Sequence, residues 1–583
     1  MSAQLENSER LAKGREELRQ ARREFRWLFR AAALFSVFVN LLMLTGPIFM
    51  LQVYDRVLGS RSQETLLALF ILMGFLFATM GVLDYLRGRV LARIGTALQA
   101  RLEARVFSAV LERAALAPRP DQVANSLRDL DAVQRFIGSP AFAALYDIPF
   151  TPLFLAGILI FHPWLGILAL TGGAILILIT VLNQLLTRAP SAEALRASLG
   201  AEQQALQIKN EAEMVRALGI QEATFQRWKQ ARNQAARANL EFSDQSGRFT
   251  TLSKTFRMFL QSAMLGLGAL LVLRGEVTAG AMIASSILLG RALAPIDLAI
   301  GQWRVIEQAR DGWKRLAELL GHQPEAPPRT RLGRPKAHLK VENLTVLPPG
   351  QAQASLRMLN FELRPGQALG VIGPSGAGKS SLARALTGVW RPAGGKIRFD
   401  GSALEHFDPA ALGDIIGYLP QRVQLFDGTI SENIAGMALA PDAEAVIEAA
   451  KKADAHAMIQ RLPNGYDTRV SAGGGMLSGG QMQRIALARA LYGNPVFVVL
   501  DEPNSNLDNE GSTALNNAIR EVKAGGGAVL IMAHRPAAIR ECDLLLVLDG
   551  GAARAFGPRD EVLARMVKNA DQITGKPDGG GIS

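Results

Sequence analysis

A glycine-rich segment in the second half of the chain has the residue types and spacing to hold phosphate groups. It matches the pattern G-x-x-x-x-G-K-[ST] and consists of Gly373, Pro374, Ser375, Gly376, Ala377, Gly378, Lys379 and Ser380, with Ser381 directly after it. Its glycines let the backbone wrap phosphates, whose charge faces amide hydrogens at a helix N-terminus. In this pattern Lys379 reaches the β- and γ-phosphates and Ser380 ligates Mg²⁺. The segment predicts a nucleoside triphosphate site and leaves the class of NTPase open.

A second anion site is predicted further along the chain. It consists of Ser478, Gly479, Gly480 and Gln481 and precedes a predicted helix that begins near Met482. A serine hydroxyl and adjacent glycine amides at the N-terminus of a helix offer hydrogen bonds to an anion. This segment therefore predicts another contact to phosphate.

Further polar residues follow apolar runs that are typical of buried parallel strands. Asp501 and Glu502 end one such run, and His534 follows another. Gln421 ends the segment Gly417–Gln421. Taken singly, a histidine or glutamine is more often a satisfied polar residue than a catalytic one, so only the order and spacing of all the motifs together assigns them a role.

The elements that precede these motifs are membrane helices. The chain has 583 residues, of which 49% are hydrophobic, and the first 300 residues contain several long uncharged stretches. About 20 apolar residues are enough to cross a bilayer as a helix. Six spans in three hairpins are predicted, with the least support for the last: Ala31–Tyr54, Thr65–Leu83, Ile148–Phe161, Pro163–Leu182, Met258–Leu273 and Val277–Ile296.

The distribution of charge predicts the orientation of these spans. Basic residues collect before the first span and in the segments 87–135 and 188–257, so these parts and the C-terminal half are expected in the cytoplasm. Both segments favour helix and are expected to extend the spans into the cytosol rather than form solvated loops. The net charge of +12 fits the same bias, and no nucleic-acid recognition motif accompanies it.

The only cysteine is Cys542, which excludes disulfides within the chain.

Two features leave alternatives open. Arg291 either faces a water-filled cavity or a partner, because an arginine in contact with lipid is costly, or the sixth span ends just before it. The first 30 residues carry Leu11, Leu18 and Phe25 on one helical stripe, which suits either an interfacial helix or a solvated lead-in.

The expected domain boundaries follow from these patterns. Residues 1–30 form a cytoplasmic N-terminal segment, 31–320 the transmembrane domain with its cytosolic extensions, and 338–570 a nucleotide-binding domain. Residues 321–337 contain four prolines and are predicted to be a linker, and residues 571–583 a flexible tail.

The motifs, taken in order, resemble those of ABC ATPases, since Leu477–Gln481 matches the signature motif of that family. The resemblance implies an ABC exporter fold, in which an α-helical membrane domain of six transmembrane helices is fused to an α/β P-loop NTPase domain. It also implies ATP and Mg²⁺ as cofactors. In the family the signature binds the γ-phosphate of the nucleotide held by the opposite subunit, so a homodimer is implied.

The same resemblance assigns roles to the remaining polar residues. Asp501 matches the aspartate that holds Mg²⁺, and Glu502 matches the glutamate that polarises the attacking water. His534 matches the histidine that contacts the γ-phosphate, and Gln421 the glutamine that touches Mg²⁺ and water. Ser505–Asp508 matches the D-loop.

The chain departs from the family pattern at two places. Leu339–Asn360 lacks the aromatic residue that stacks on adenine, and Val470–Gly475 lacks the glutamate that often precedes the signature. The departures put the usual adenine stack and one route of coupling between subunits in doubt.

Segments of the membrane half resemble type 1 protein secretion ATPases. The resemblance covers nearly the whole chain and is carried above all by Asn40–Leu58, and also by Arg128–Asp131 and Asp147–Pro152. Some members begin with a cysteine-peptidase-like domain, for which there is no room before Ala31. In this respect the chain is similar to the PrtD-like branch. That branch exports RTX-type proteases and related proteins with an uncleaved C-terminal signal.

The resemblance also implies partners and a location. A homodimer in the bacterial inner membrane, in contact with lipid and with its ATPase domains in the cytoplasm, would pass an unfolded polypeptide to the exterior. A periplasmic membrane fusion (adaptor) protein and a TolC-type outer-membrane channel would complete the path. Two alternatives remain: an exporter of lipids or small hydrophobic molecules, and a non-transport ABC ATPase acting on nucleic acid, which the spans oppose.

Overall fold

A computed structural model describes residues 2–116, 126–325, 332–471, 477–505, 509–533 and 539–566. The chain divides into two compact units. The first comprises residues 1–112 and 121–325, and the second residues 113–120 and 326–583. The predicted tail, 571–583, lies outside the described residues.

The first unit is helical throughout its described residues. Its α-helices are α1 (Ser2–Glu24), α2 (Arg26–Leu42), α3 (Thr45–Gln52), α4 (Leu58–Ser60), α5 (Gln63–Leu116), α6 (Ser126–Ile137), α7 (Pro140–Asp147), α8 (Thr151–Phe161), α9 (Pro163–Asn210), α10 (Ala212–Ala217), α11 (Gln221–Leu273), α12 (Ala279–Gly301) and α13 (Trp303–His322). A π-helical turn, Val53–Val57, joins α3 to α4, and a 3₁₀ turn, Ile148–Phe150, joins α7 to α8.

Six helical segments of the described chain are long and apolar enough to cross a membrane, which confirms the predicted number of spans. Their bounds are Arg26–Ser60, Gln63–Leu116, Pro140–Phe161, Pro163–Asn210, Gln221–Leu273 and Ala279–Gly301. The first span is not one regular helix, because α2 ends at Leu42 and α3 begins at Thr45. The helix of the sixth, α12, continues past Arg291 to Gly301.

Three of these helices are much longer than a bilayer is thick. α5 has 54 residues, α9 has 48 and α11 has 53. At 1.5 Å per residue each is about 70 to 80 Å long, whereas the hydrocarbon core is about 30 Å thick. Within the described residues the predicted helical extensions are confirmed, since α5 continues the second span to Leu116, α9 continues the fourth to Asn210 and α11 runs from Gln221 into the fifth. Helices α9 and α11 pack along each other.

The N-terminal helix packs on protein, which corrects both expectations for the first 30 residues. Leu18 of α1 is fully buried in a cluster that includes Leu102 of α5 and Leu316 of α13. The backbones of α1 and α13 meet at two glycines: a Cβ on Gly14 would lie 2.0 Å from the carbonyl oxygen of Ala317, and a Cβ on Gly321 would also meet backbone. The apolar stripe of α1 therefore faces neighbouring helices.

Asp55, in the segment Asn40–Leu58, closes the first hairpin onto the last span. Its carboxylate accepts a hydrogen bond from the backbone N–H of Gly280 at 3.0 Å and one from the hydroxyl of Thr278 at 2.8 Å. Thr278 is the N-cap of α12, so the carboxylate lies at the positive end of that helix. A Cβ on Gly280 would lie 2.6 Å from the carboxylate, so the contact requires glycine there.

The second unit contains a mixed sheet, an antiparallel sheet and helices. Its strands are β1 (Leu339–Val346), β2 (Leu356–Leu363), β3 (Ala368–Ile372), β4 (Gly394–Phe399), β5 (Ser402–Ala403), β6 (Ile416–Leu419), β7 (Gly428–Thr429), β8 (Arg469–Val470), β9 (Phe497–Asp501), β10 (Ala528–Met532), β11 (Leu544–Asp549) and β12 (Ala552–Pro558). Its helices are α14 (Lys379–Leu386), α15 (Pro409–Ile415), α16 (Ile430–Ile434), α17 (Ala443–Lys452), α18 (His456–Gln460), α19 (Gly479–Leu491), α20 (Asn509–Ala524) and α21 (Arg559–Met566).

The order of strands in the mixed sheet is β12-β11-β3-β10-β9-β6, with β12 antiparallel and the other five parallel. The antiparallel sheet has the order β2-β1-β4-β5. The two predicted apolar strands are confirmed as β9 and β10, which are wholly buried, and β3 is almost wholly buried as well. Because the carboxyl ends of parallel strands meet at one edge, the residues that follow β3, β6, β9 and β10 lie near one another.

Cys542 lies in the apolar cluster on one face of this sheet, and burial raises the pKa of its thiol to about 12. We expect no modification of the native protein by N-ethylmaleimide at pH 8 and full modification in denaturant, because the thiolate is the reactive form. In the unfolded chain the thiol ionises above pH 9.0, its ordinary pKa, whereas in the folded protein it stays protonated up to about pH 12. Its contribution to stability is therefore complete below pH 9 and falls between pH 9 and pH 12. An Arg391→Cys variant, with a thiol at an exposed site, is the positive control. Labelling of native Cys542 at the rate of that control would contradict the prediction.

Candidate nucleotide-binding site

The glycine-rich segment forms a tight loop between β3 and α14. Gly376 and Gly378 have φ values of +81° and +100°, which side chains with a Cβ rarely adopt. Space is also limiting, since a Cβ on Gly378 would lie 2.6 Å from Leu356 Cδ2 and 2.7 Å from the carbonyl oxygen of Ser355. The loop, which includes Ser375 and Ala377, leads into α14 at Lys379, so Ser380 and Ser381 lie in the first turn of that helix. The loop therefore lies between a buried strand and the predicted helix N-terminus, the arrangement in which this motif binds phosphates.

Lys379 lies inside this loop. Its ammonium group donates hydrogen bonds to the carbonyl oxygens of Gly373 at 2.7 Å and Pro374 at 3.0 Å, and the residue is only 6% exposed. Burial lowers the pKa of Lys379, and the nearby carboxylates of Glu502 and Asp501 oppose that shift. The lysine thus closes the loop and places a positive charge where phosphate groups would be held.

We expect Lys379→Ala to weaken ATP binding by about 100-fold, because a charge-assisted contact to phosphate contributes about 1.5–3 kcal/mol and the loop also loses its internal hydrogen bonds. Binding of a fluorescent ATP analogue to the purified chain measures the change. Lys340→Ala removes an exposed lysine of the same unit and serves as the control. Equal affinity of the Lys379 and Lys340 variants would contradict the role given to Lys379.

Asp501 lies at the carboxyl end of β9 and is 2% exposed. Burial raises its pKa, while a hydrogen bond from the hydroxyl of Ser380 acts in the opposite direction. Its Oδ1 is buried and has no hydrogen-bond partner within the described part of the chain. A buried carboxylate with an open oxygen beside a serine hydroxyl fits Mg²⁺, which prefers oxygen ligands and usually binds through one or two carboxylates together with phosphates.

Glu502 and Gln421 meet at the same edge of the sheet. The side-chain amide of Gln421 donates to Glu502 Oε2 at 2.9 Å. Glu502 has a φ of +52°, an unusual value for a residue with a side chain, and its backbone N–H donates to the carbonyl oxygen of Met532 at the end of β10. The structure therefore brings Lys379, Ser380, Asp501, Glu502 and Gln421 together. His534, two residues beyond Met532, lies outside the described residues, as do positions 506–508 of the predicted D-loop.

The signature segment forms a separate feature at the N-terminus of α19. Ser478 caps this helix: its hydroxyl accepts a hydrogen bond from the N–H of Gln481, whose side chain accepts one from the N–H of Ser478. Ser478 and Gly479 are exposed, and Gly480 is half-buried. Among the described residues, no hydrogen bond joins this segment to the phosphate-binding loop, so within one chain the two predicted anion sites are not connected.

Gln483 is a positioning residue that the sequence did not reveal. It is buried on α19, and its side-chain amide donates to the carbonyl oxygen of Pro503 at 2.9 Å. This bond ties the signature helix to the residue that follows Glu502. The available signal was a glutamine among the apolar residues Ile485, Ala486 and Leu487 on the buried side of the helix.

Comparisons with known proteins identify the family of the chain. Residues 29–293 match the ABC transporter transmembrane region, and residues 356–505 match the ABC transporter family. The chain is 45% identical over 548 residues to the type I secretion system ATP-binding protein PrsD of Rhizobium meliloti (strain 1021), with 94% of each sequence covered.

More distant relatives give the same result. The chain is 28% identical to the cyclolysin secretion/processing ATP-binding protein CyaB of Bordetella pertussis, with 92% of this chain and 76% of that protein covered. It is 29% identical to the leukotoxin translocation ATP-binding protein LktB of Mannheimia haemolytica, with 93% and 77% covered. Its fold matches that of a bacterial Atm1-family ABC exporter with ATP bound at a TM-score of 0.80 and 25% identity, over 96% of this chain and 99% of that one.

Proposed function

Since the chain belongs to the ABC transporters and, within them, to the ATP-binding exporters of type I secretion systems, we propose that it moves an unfolded polypeptide out of the cytosol. The proposed cargo is an RTX-type protease or a related protein with an uncleaved C-terminal signal. The observation that carries this proposal is the 45% identity to PrsD across both the membrane helices and the ATPase.

The geometry of the ATPase supports a division of roles. Lys379 and the amides of its loop bind the β- and γ-phosphates, and Ser380, Asp501 and Gln421 are the residues that would hold Mg²⁺. When bound, Mg²⁺ supplies positive charge that stabilises the phosphates during transfer. Glu502, which accepts a hydrogen bond from Gln421, orients and polarises the attacking water. His534 is the proposed contact to the γ-phosphate.

A homodimer completes the site in this proposal. The signature residues lie at the start of α19, where backbone amides and a hydroxyl can donate hydrogen bonds to an anion: Ser478, Gly479, Gly480 and Gln481. Because these residues have no hydrogen bond to the loop of their own chain, they are available to the nucleotide of the partner. ATP binding would then close two ATPase units, and the long cytosolic helices would transmit that closure.

The proposed location is the bacterial inner membrane, with the ATPase in the cytoplasm and six spans per chain. The basic residues before α2 and in the long helical extensions support this orientation, because cytoplasmic segments near spans carry an excess of Lys and Arg. A periplasmic membrane fusion protein and a TolC-type outer-membrane channel are the proposed partners.

Secretion by cells that co-express the system tests the proposal. The chain is co-expressed with the products of adjacent genes, and the medium is assayed for each candidate cargo. We expect a cargo in the medium only when its C-terminal segment is present and the transporter is active, with the Glu502→Gln chain as the matched inactive control. Equal secretion with the control chain, or secretion of cargo without its C-terminal segment, would argue against protein export by this route.

A further inference from the structure

Helix α1 directs two of its acidic residues toward α5. The acidic residues Glu17 and Glu24 of α1 turn toward α5, where they pair with Arg105 at 2.8 Å and Arg101 at 3.2 Å. The basic residues of the same segment are mostly exposed. On the outward face Glu16 pairs with Arg19 and Arg23, whereas Arg22 has no acidic partner among the described residues.

One part of the basic N-terminal surface lies directly before the uncharged run of the first membrane span. Four exposed residues form this part, which we call the Trp27 surface: Arg22, Arg26, Trp27 and Arg30. Trp27 is 73% exposed. The guanidinium of Arg30 lies 5.5 Å from the centroid of the Trp27 ring. Within the described part of the chain, none of the three arginines forms an ion pair, so their charge is available to an external anion.

The Trp27 surface is close enough to a bilayer to act on it. Arg30 immediately precedes the uncharged segment Ala31–Tyr54, and Arg26 lies four residues earlier on the same helix, about 6 Å along its axis. That distance is within the screening length of about 8 Å at physiological ionic strength. Tryptophan is enriched where a span enters the headgroup region, and juxtamembrane arginines attract anionic lipid.

We propose that the Trp27 surface binds the phosphate of anionic phospholipid headgroups in the cytosolic leaflet. The guanidinium groups donate hydrogen bonds to phosphate oxygens, and the indole ring lies at the boundary with the acyl chains. Because α1 packs on α13, which continues α12 beyond the membrane, a bound headgroup would hold the cytosolic end of the sixth span as well as the first. This proposal depends on the membrane location of α2 and not on the identity of the cargo.

Quenching of Trp27 fluorescence by brominated lipids tests the proposal on the full chain. The protein is reconstituted into two matched bilayers of phosphatidylcholine with about 30% phosphatidylglycerol, with bromine on only one of the two lipids. The contribution of Trp27 is the difference from Trp27→Phe. Relative to the mole fraction of each lipid, we expect quenching by brominated phosphatidylglycerol to be about threefold stronger than by brominated phosphatidylcholine, and the preference to fall as salt is raised.

Charge variants decide whether these arginines cause the preference. The triple variant Arg22→Gln, Arg26→Gln and Arg30→Gln should lose it, and the corresponding triple lysine variant should keep it, because lysine retains the charge and folding can then be compared. A control removes three exposed arginines of α11 that lie at least about 30 Å along the helix from its predicted span: Arg227, Arg232 and Arg237, each changed to Gln.

The outcomes are distinct. A preference that is lost in the Gln triple and kept in the Lys triple and the α11 control supports the proposal. Equal quenching by the two lipids in the parent chain, or an unchanged preference in the Gln triple, overturns it. A loss of preference in the α11 control also overturns it, because the effect would then be one of total charge rather than of this surface.

Discussion

Glu502→Gln is expected to lower the rate of ATP hydrolysis by about 10²–10⁴-fold while leaving ATP bound, since a positioned general base contributes an effect of that size. The substitution keeps the shape of the side chain and removes its negative charge. The backbone of residue 502 is held at a positive φ by its bond to Met532, so the new amide should occupy the position of the carboxylate. The amide cannot act as a base toward the attacking water, whereas Lys379 and Ser380 still contact phosphate.

Two measurements on the purified chain separate binding from turnover. Release of inorganic phosphate should fall to background, and retention of labelled ATP after rapid gel filtration should equal or exceed that of the parent chain. Gln421→Ala is a useful companion, because it removes the hydrogen bond to Glu502 and should slow hydrolysis less than Glu502→Gln does. Undiminished hydrolysis by the Glu502 variant would show that another group acts on the attacking water.

Most of the nucleotide site could be predicted because its residues lie in short continuous motifs. The loop from Gly373 to Ser380 and the pair Asp501 and Glu502 follow apolar strands, and parallel strands bring their carboxyl ends to one edge. What the motifs do not encode is contact between distant positions. The bond from Gln421 to Glu502 joins residues 81 positions apart, and the bond from Gln483 to Pro503 depends on how α19 packs against the strand.

The membrane helices were predictable in number but less so in their surroundings. Runs of uncharged residues gave six spans because hydrocarbon imposes a minimum length. An apolar stripe such as Leu11, Leu18 and Phe25 does not distinguish lipid from protein as its partner, and only the close packing at Gly14 and Gly321 shows that α1 lies on α13. Breaks such as the one between α2 and α3 also leave no mark in hydropathy.

The segments that resembled a secretion family contain residues that the structure joins into one polar network. Arg87 of α5 is 6% exposed and donates to the carboxylate of Asp147 at 2.7 Å, to Asp84 at 2.6 Å and to the hydroxyl of Ser36 at 3.1 Å. Asn40 of α2 donates to the same oxygen of Asp147 at 2.7 Å. Thus Asn40 and Asp147, the first residues of two of those segments, are directly hydrogen-bonded, and Arg87 contacts the same oxygen of Asp147.

This network lines a cavity of about 380 Å³ into which Arg291 of α12 also faces. Of the two alternatives open for Arg291, the structure therefore supports a cavity. Within the described part of the chain Arg291 forms no ion pair, so the carboxylates of Asp84 and Asp147 depend on Arg87 for their closest positive charge.

Arg87→Ala is expected to destabilise the membrane unit by about 3–5 kcal/mol, the usual effect of removing one partner of a buried ion pair. The carboxylate of Asp147, whose side chain is only 14% exposed, would remain without its cation between α2, α5 and α7. The midpoint of thermal unfolding in detergent should fall by several degrees, and Arg89→Ala, two residues along the same helix at an exposed position, should not change it.

The double variant Arg87→Ala with Asp147→Asn distinguishes charge from packing. Neutralising Asp147 removes the uncompensated charge, so the double variant should be more stable than Arg87→Ala alone. With Asp147→Asn as the other single variant, the cycle measures the coupling between the two residues. If the double variant is as unstable as the single one, the stability lost with Arg87 comes from its packing and its bonds to Ser36 and Asp84. Asn40 can keep its hydrogen bond to residue 147 in both the single and the double variant. The comparison therefore tests whether the negative charge of Asp147 is the reason that α5 buries an arginine at position 87.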